Sequence, residues 1–152
     1  TGREDRMGGS LMPDFKLFTL EEAERTLPLV RRIVADLTVE YPAWRAAVAR
    51  FELLTGGARA DWGETKELVA AREDVTRHAN RINQYLLELE AVGCVFKGFE
   101  AGLVDFYSLR DDSPIFLCWR LGEDRITHWH EIDTGFSGRQ PIDRSILSSV
   151  SS

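Results

Sequence analysis

Two of the three histidines in the chain flank one tryptophan, in the stretch ITHWHEID at residues 126–133. Side chains alternate across an extended strand, so His128 and His130 would leave one face about 7 Å apart, with Trp129 on the other. An imidazole pair of this kind suits a divalent metal such as zinc, whose sites combine nitrogen, sulfur and carboxylate donors. Two ligands are fewer than a zinc site usually has. Further donors would have to come from Glu131, Glu123, Glu100, Cys118 or the remaining histidine, His78. The competing reading is ordinary sheet packing beside Trp119, and the residues favour it, because an H-x-H pair alone is a weak signal and buried imidazoles find local partners.

Arg110, Arg120, Arg125 and Arg139 add a second option. Guanidinium groups grip phosphate or carboxylate through paired hydrogen bonds, so a ligand pocket could form around Trp119 and Arg139. Asp111, Asp112, Glu123, Asp124 and Asp133 lie close in sequence, which favours solvated or paired arginines instead. Nucleophilic chemistry has little support. Cys118 sits in the apolar run LCW, a setting that raises a thiol's pKa, and the chain has no GxSxG, GxxxxGK[ST] or helix-opening GxGxxG. No catalytic residue is assigned, and the expectation leans away from an enzyme.

The elements that must position these residues can be read from periodicity. Thr19 with Glu22 three residues on is a capping-box signature. From there Leu20, Ala23, Leu27, Val30, Val34, Leu37, Tyr41, Trp44, Val48 and Phe51 recur at spacings of three and four, a heptad seam. Pro28 and Pro42 each remove a helical hydrogen bond, at about 3 kcal/mol in an unadapted helix. The expectation is kinks, or a break near Pro28 with the helix restarting at Thr26. Gly56 and Gly57 end this helix, and Asp61 with Glu64 offers the next cap. A second seam runs through Leu68, Ala71, Val75, His78, Ile82, Tyr85, Leu89 and Val92, closed by Gly93. The two helices should fold back as an antiparallel hairpin, with Phe51 near Leu68, Trp44 near Val75 and Tyr41 near His78. Tyr41 is then the expected hydrogen-bond partner of His78. Helix two has Val75 where a Glu-x-x-His motif would need its glutamate, which excludes a ferritin-like di-metal bundle.

After Gly93, aromatic and β-branched residues punctuated by turn residues predict a β-meander. Strands are expected near Leu103–Leu109, Ile115–Leu121 and Ile126–Ile132. With residues 122–125 as a four-residue connection, Leu121 faces Ile126, Trp119 faces His128 and Leu117 faces His130, leaving Cys118 on the opposite face. A bulge shifting the register by one residue would bring Cys118 beside a histidine. The fold class predicted is α+β: a long, coiled-coil-like two-helix hairpin followed by a small antiparallel meander. Residues 1–14 read as an arm, 15–142 as one domain and 143–152 as a tail.

Composition bounds the partners. A chain of 152 residues, 43% hydrophobic and 29% charged, suits one globular domain. Its net charge of -6 argues against nucleic acid or an anionic membrane as partner, since both require a cationic surface. Cys94 and Cys118 have no metal-type spacing and make no disulfide framework, so a cytoplasmic location is expected. No apolar run is long enough to span a bilayer, and the beginning lacks the order of a secretory signal. Leu29, Ile33, Leu53, Leu54, Leu86 and Leu87 widen the apolar stripes beyond what one partner helix covers, to pack on the sheet or on a second subunit, and a homodimer through the helices is expected.

The FTLEEAERTLP opening, KGFEAGLVDF and the pattern LCWRLGED…HWHEID.GF.GR.P together resemble the uncharacterised prokaryotic family called domain of unknown function 2203, over Phe18 to Ile142. The resemblance implies a small bacterial or archaeal protein, helical hairpin first and motif-rich segment after. It carries no activity, and the function expected from the residues is interaction or ligand binding through a self-associating hairpin, with metal binding at His128 and His130 as the alternative.

Overall fold

In the computed structural model, which describes residues 16–56 and 63–143, the capping box at Thr19 is complete: its hydroxyl accepts from the Glu22 backbone N–H, and Glu22 accepts from that of Thr19. Helix α1 (Leu20–Arg25) is short, and α2 (Leu27–Thr55) starts after a break at Thr26. The break places Pro28 in the first turn of α2, where its missing N–H forfeits no helical bond. Pro42 is accommodated inside α2. The predicted cap at Asp61 lies outside the described residues, as does the predicted arm at 1–14; helix α3 (Lys66–Val92) is instead capped by Thr65, whose hydroxyl accepts from the Leu68 N–H at 3.1 Å. Gly93 ends α3 in the left-handed conformation that a side chain resists, φ 107°.

Helices α2 and α3 pack as the antiparallel hairpin, and Phe51 and Leu68 line one cleft at its tip. The expected partner of His78 is corrected. His78 Nδ1 meets the buried carboxylate of Glu40, one residue before Tyr41, while Tyr41 stacks on Phe99 with ring centroids 4.3 Å apart.

The meander has five antiparallel strands in sequence order, where three were expected: β1 (Val95–Gly98), β2 (Leu103–Arg110), β3 (Ser113–Arg120), β4 (His128–Glu131) and β5 (Gln140–Pro141). Asp111 and Asp112 form the two-residue turn of the β2–β3 hairpin, both with positive φ, which short polar side chains tolerate. Val104, Phe106, Ile115, Leu117, Trp119 and Trp129 form the inner face and join Leu27, Val30, Val34, Leu37, Ile82 and Leu89 in one buried cluster. Each such large side chain contributes about 1.5–3 kcal/mol by leaving water. Phe18 ties the N-terminal side to β2: its N–H donates to the Tyr107 carbonyl at 2.7 Å and its carbonyl accepts from Ser108 Oγ at 2.6 Å.

The four-residue β3–β4 connection is also corrected. The strands pair with Cys118 opposite His128, Leu117 opposite Trp129 and Phe116 opposite His130, the register shifted by one. Residues 121–127 form the connection because Ile126 leaves the ladder for the core, where it is fully buried, and its N–H donates to Glu24 Oε2 at 3.0 Å. Arg31 of α2 also donates to the Asp124 carbonyl at 3.1 Å. The shift moves both histidines onto the face of Cys118 and leaves Trp119 on the other.

Candidate functional site

The sheet's outer face, turned away from the helices, carries two cross-strand rows: Asp105, Cys118 and His128, then Tyr107, Phe116 and His130. Asp105, Cys118 and His130 are 3%, 1% and 2% exposed, burial that is unusual for an acid and an imidazole on an outer face. His130 leans out of its own row toward Asp105, with Nε2 to Oδ2 at 3.1 Å. One ligand atom of each of the three, the ring nitrogen, the thiol sulfur and a carboxylate oxygen, lies within 4.8 Å of the other two.

The hydrogen-bond directions constrain this cluster. His130 Nδ1 lies 2.7 Å from the Glu131 carbonyl, which can only accept, so Nδ1 donates. A neutral ring then presents the lone pair of Nε2 to a carboxylate oxygen, a contact of two acceptors. It is relieved by a proton, on the ring or the carboxyl, or by a cation between them. Burial raises the Asp105 pKa above the usual carboxylate value, opposed by His130 and by Lys97, whose Nζ is 3.9 Å from Oδ2. Burial, with Asp105 adding to it, pushes the Cys118 thiol up to about 11. Such a thiol is no nucleophile at neutral pH without a metal or base to take its proton.

Arg139 closes the edge of the cluster. Its guanidinium grips Glu123 at 2.8 and 3.0 Å and donates to the Cys118 carbonyl at 3.3 Å. Its Nε is buried without a hydrogen-bond partner among the described residues.

The structure distributes the sequence-derived candidates. His130 and Cys118 come together; His128 shares their face, but its ring contacts Thr127 Oγ1 at 2.9 Å and stands outside the cluster. Glu123 is held by Arg139 and the Arg120 N–H, Glu131 and Glu100 are exposed, and His78 belongs to the helices. Trp119 and Arg139 both bond to Glu123: Trp119 is buried in the inner core, where its Nε1 donates to the Glu123 carbonyl at 2.9 Å, and Arg139 holds the Glu123 carboxylate. The four arginines do not form one cluster: Arg125 pairs with Glu24 and Arg110 lies over Trp129, while Arg120 and Arg139 both lie over the Phe136 ring. Asp105 was not anticipated, though an acid inside LVDFYS, an otherwise apolar and aromatic strand, is the signal that pointed to it.

The chain belongs to the family of uncharacterised conserved proteins DUF2203, whose sequence profile matches residues 16–142. No curated protein and no solved structure matches it. Among the described residues, no helix is long and apolar enough to cross a membrane.

Proposed function

We propose that this protein is a cytosolic, non-enzymatic interaction module that self-associates through the outer half of its helical hairpin. One observation carries the reading: burial along α2 stops midway. Leu27, Val30, Ile33, Val34, Leu37 and Glu40 are buried, and no residue of α2 beyond them is. On α3 the half nearer the tip contributes only Ala71. The seam residues Trp44, Val48, Phe51, Leu68 and Val75 stay half-exposed. Among the described residues, this two-helix arm has no third element of the kind that amphipathic helices need to bury their stripes.

Val39, Pro42, Ala46, Ala49 and Leu53 extend the argument to a second stripe. All are exposed on α2, Val39 by 71% and Leu53 by 80%, at the alternating three and four spacing of a coiled-coil seam. An identical helix face related by a two-fold axis is complementary to it, so a second copy of the chain is the occupant. Light scattering on the eluting full-length chain tests this, beside a Val39→Glu/Leu53→Glu double variant. Both sites are solvent-facing, so the variant should keep its helical circular dichroism and run as a monomer while the parent runs as a dimer. Equal masses for the two proteins would defeat the proposal.

A further inference from the structure

We propose that Asp105, Cys118 and His130 bind one divalent transition-metal ion of the zinc class. The donor set is a carboxylate, a thiol and an imidazole, the combination that favours zinc over the oxygen-seeking magnesium and calcium. The ligand atoms already lie within 4.8 Å of one another, and three atoms around one ion about 2.0–2.3 Å away need move little to reach it. The inference concerns a different part of the molecule from the hairpin and does not depend on self-association.

Three features around the cluster suit an ion better than a vacant polar core. The first is the ring orientation: Nδ1 of His130 donates to the Glu131 carbonyl, the supporting bond that metal-bound histidines commonly make, which leaves the lone pair of Nε2 facing inward. The second is the contact of that lone pair with Asp105, which an ion between them turns from repulsion into coordination. The third is Arg139, whose Nε is buried without a hydrogen-bond partner among the described residues and whose guanidinium is anchored on the Cys118 carbonyl at 3.3 Å. A metal-bound thiolate is an acceptor for it, and Glu123 neutralises the rest of that arginine. Binding releases two protons to solvent, that of the Cys118 thiol and the one between His130 and Asp105, and the carboxylate and thiolate together balance the charge of the ion. Lys97, the other cation facing the group, sits 3.9 Å from Asp105 Oδ2 on a side chain that is 44% exposed, with its Nζ also 5.0 Å over the Phe116 ring. Burial of all three ligands screens the ion from bulk solvent, and three protein ligands leave its fourth position for water or another small donor.

The experiment is titration of chelator-treated full-length protein with Zn²⁺ and with Co²⁺, followed by X-ray absorption on the zinc-loaded form. The expected result is one equivalent bound, thiolate-to-cobalt charge-transfer absorption, and a zinc shell with one sulfur near about 2.3 Å among nitrogen and oxygen ligands. Cys118→Ala should weaken binding by more than the roughly 10–100-fold that a merely supporting group costs, while His128→Ala and Cys94→Ala retain it. If Cys118→Ala does not fold, the sulfur in the parent's zinc shell decides. Absence of stoichiometric binding by folded protein, a shell of nitrogen and oxygen alone, or loss of binding on removal of His128 or Cys94 but not Cys118 would each overturn the proposal.

Discussion

His130 and Asp105 meet across a strand that belongs to neither: Nε2 on β4 lies 3.1 Å from Oδ2 on β2, with β3 and its Cys118 between. Both side chains are almost fully closed to solvent. The sheet thus holds an acid and an imidazole in a place where polar groups are retained only with partners.

That pair predicts a particular pH dependence. Burial holds the Asp105 pKa above 3.8, so the folded protein binds this proton more tightly than the unfolded chain does. The favourable contribution is complete below 3.8 and is lost as pH rises through the folded value, at about 1.4 kcal/mol for each unit of the shift. Asp105→Asn cannot ionise, and its amide can donate to Nε2. In metal-free protein, its stability relative to the parent should therefore rise with pH above 3.8 and then level off, as urea denaturation at a series of pH values would show. A difference that stays flat with pH contradicts the assignment.

The thiols should be silent in the native state. Burial pushes Cys94 up to about 12 and Cys118 up to about 11, so neither offers thiolate at neutral pH. A chromogenic disulfide reagent should label neither within minutes in buffer and both in denaturant; rapid labelling of Cys118 in folded protein would show the outer face to be open.

Gly102, in the β1–β2 connection, packs against Val34 and Thr38 of the hairpin. It has φ 67°, and a Cβ there would lie 2.8 Å from Cβ of Leu121 and 3.0 Å from Cγ1 of Val34. Gly102→Ala should destabilise the fold by about 1–3 kcal/mol, read from the denaturation midpoint. A neutral effect would mean that this contact relaxes freely.

Glu40 and His78 should be energetically coupled. Their side chains are 11% and 19% exposed, and they join α2 to α3 midway along the hairpin, with Arg81 at 3.7 Å from the same carboxylate. A double-mutant cycle of Glu40→Ala and His78→Ala should return a coupling of about 1–3 kcal/mol. Additive effects would reduce the contact to coincidence.

The elements that sequence revealed are those with local causes. The Thr19 cap, the break at Pro28 and the αL glycine at Gly93 are each set by a few neighbouring residues, and each lies where the local pattern predicts. The register of β3 and β4 has a remote cause. It follows from Ile126 entering the core under a hydrogen bond to Glu24, 102 residues away, and no spacing within the hairpin encodes that. Strand β5, Gln140–Pro141, is too short for any alternation to be visible, and Pro141 argues locally against a strand. Asp105 and Glu40 were overlooked because acids read as solvent-facing unless something distant buries them. Hence the histidine pair was visible at once, while the partners of His130 emerged only with the fold.

The most direct test of self-association is sedimentation equilibrium of the full-length chain over a wide concentration range. The account predicts a mass near twice 17.2 kDa that falls toward the single-chain value only on dilution. A single-chain mass of 17.2 kDa at every concentration would contradict it and leave the exposed stripe on α2 without its partner.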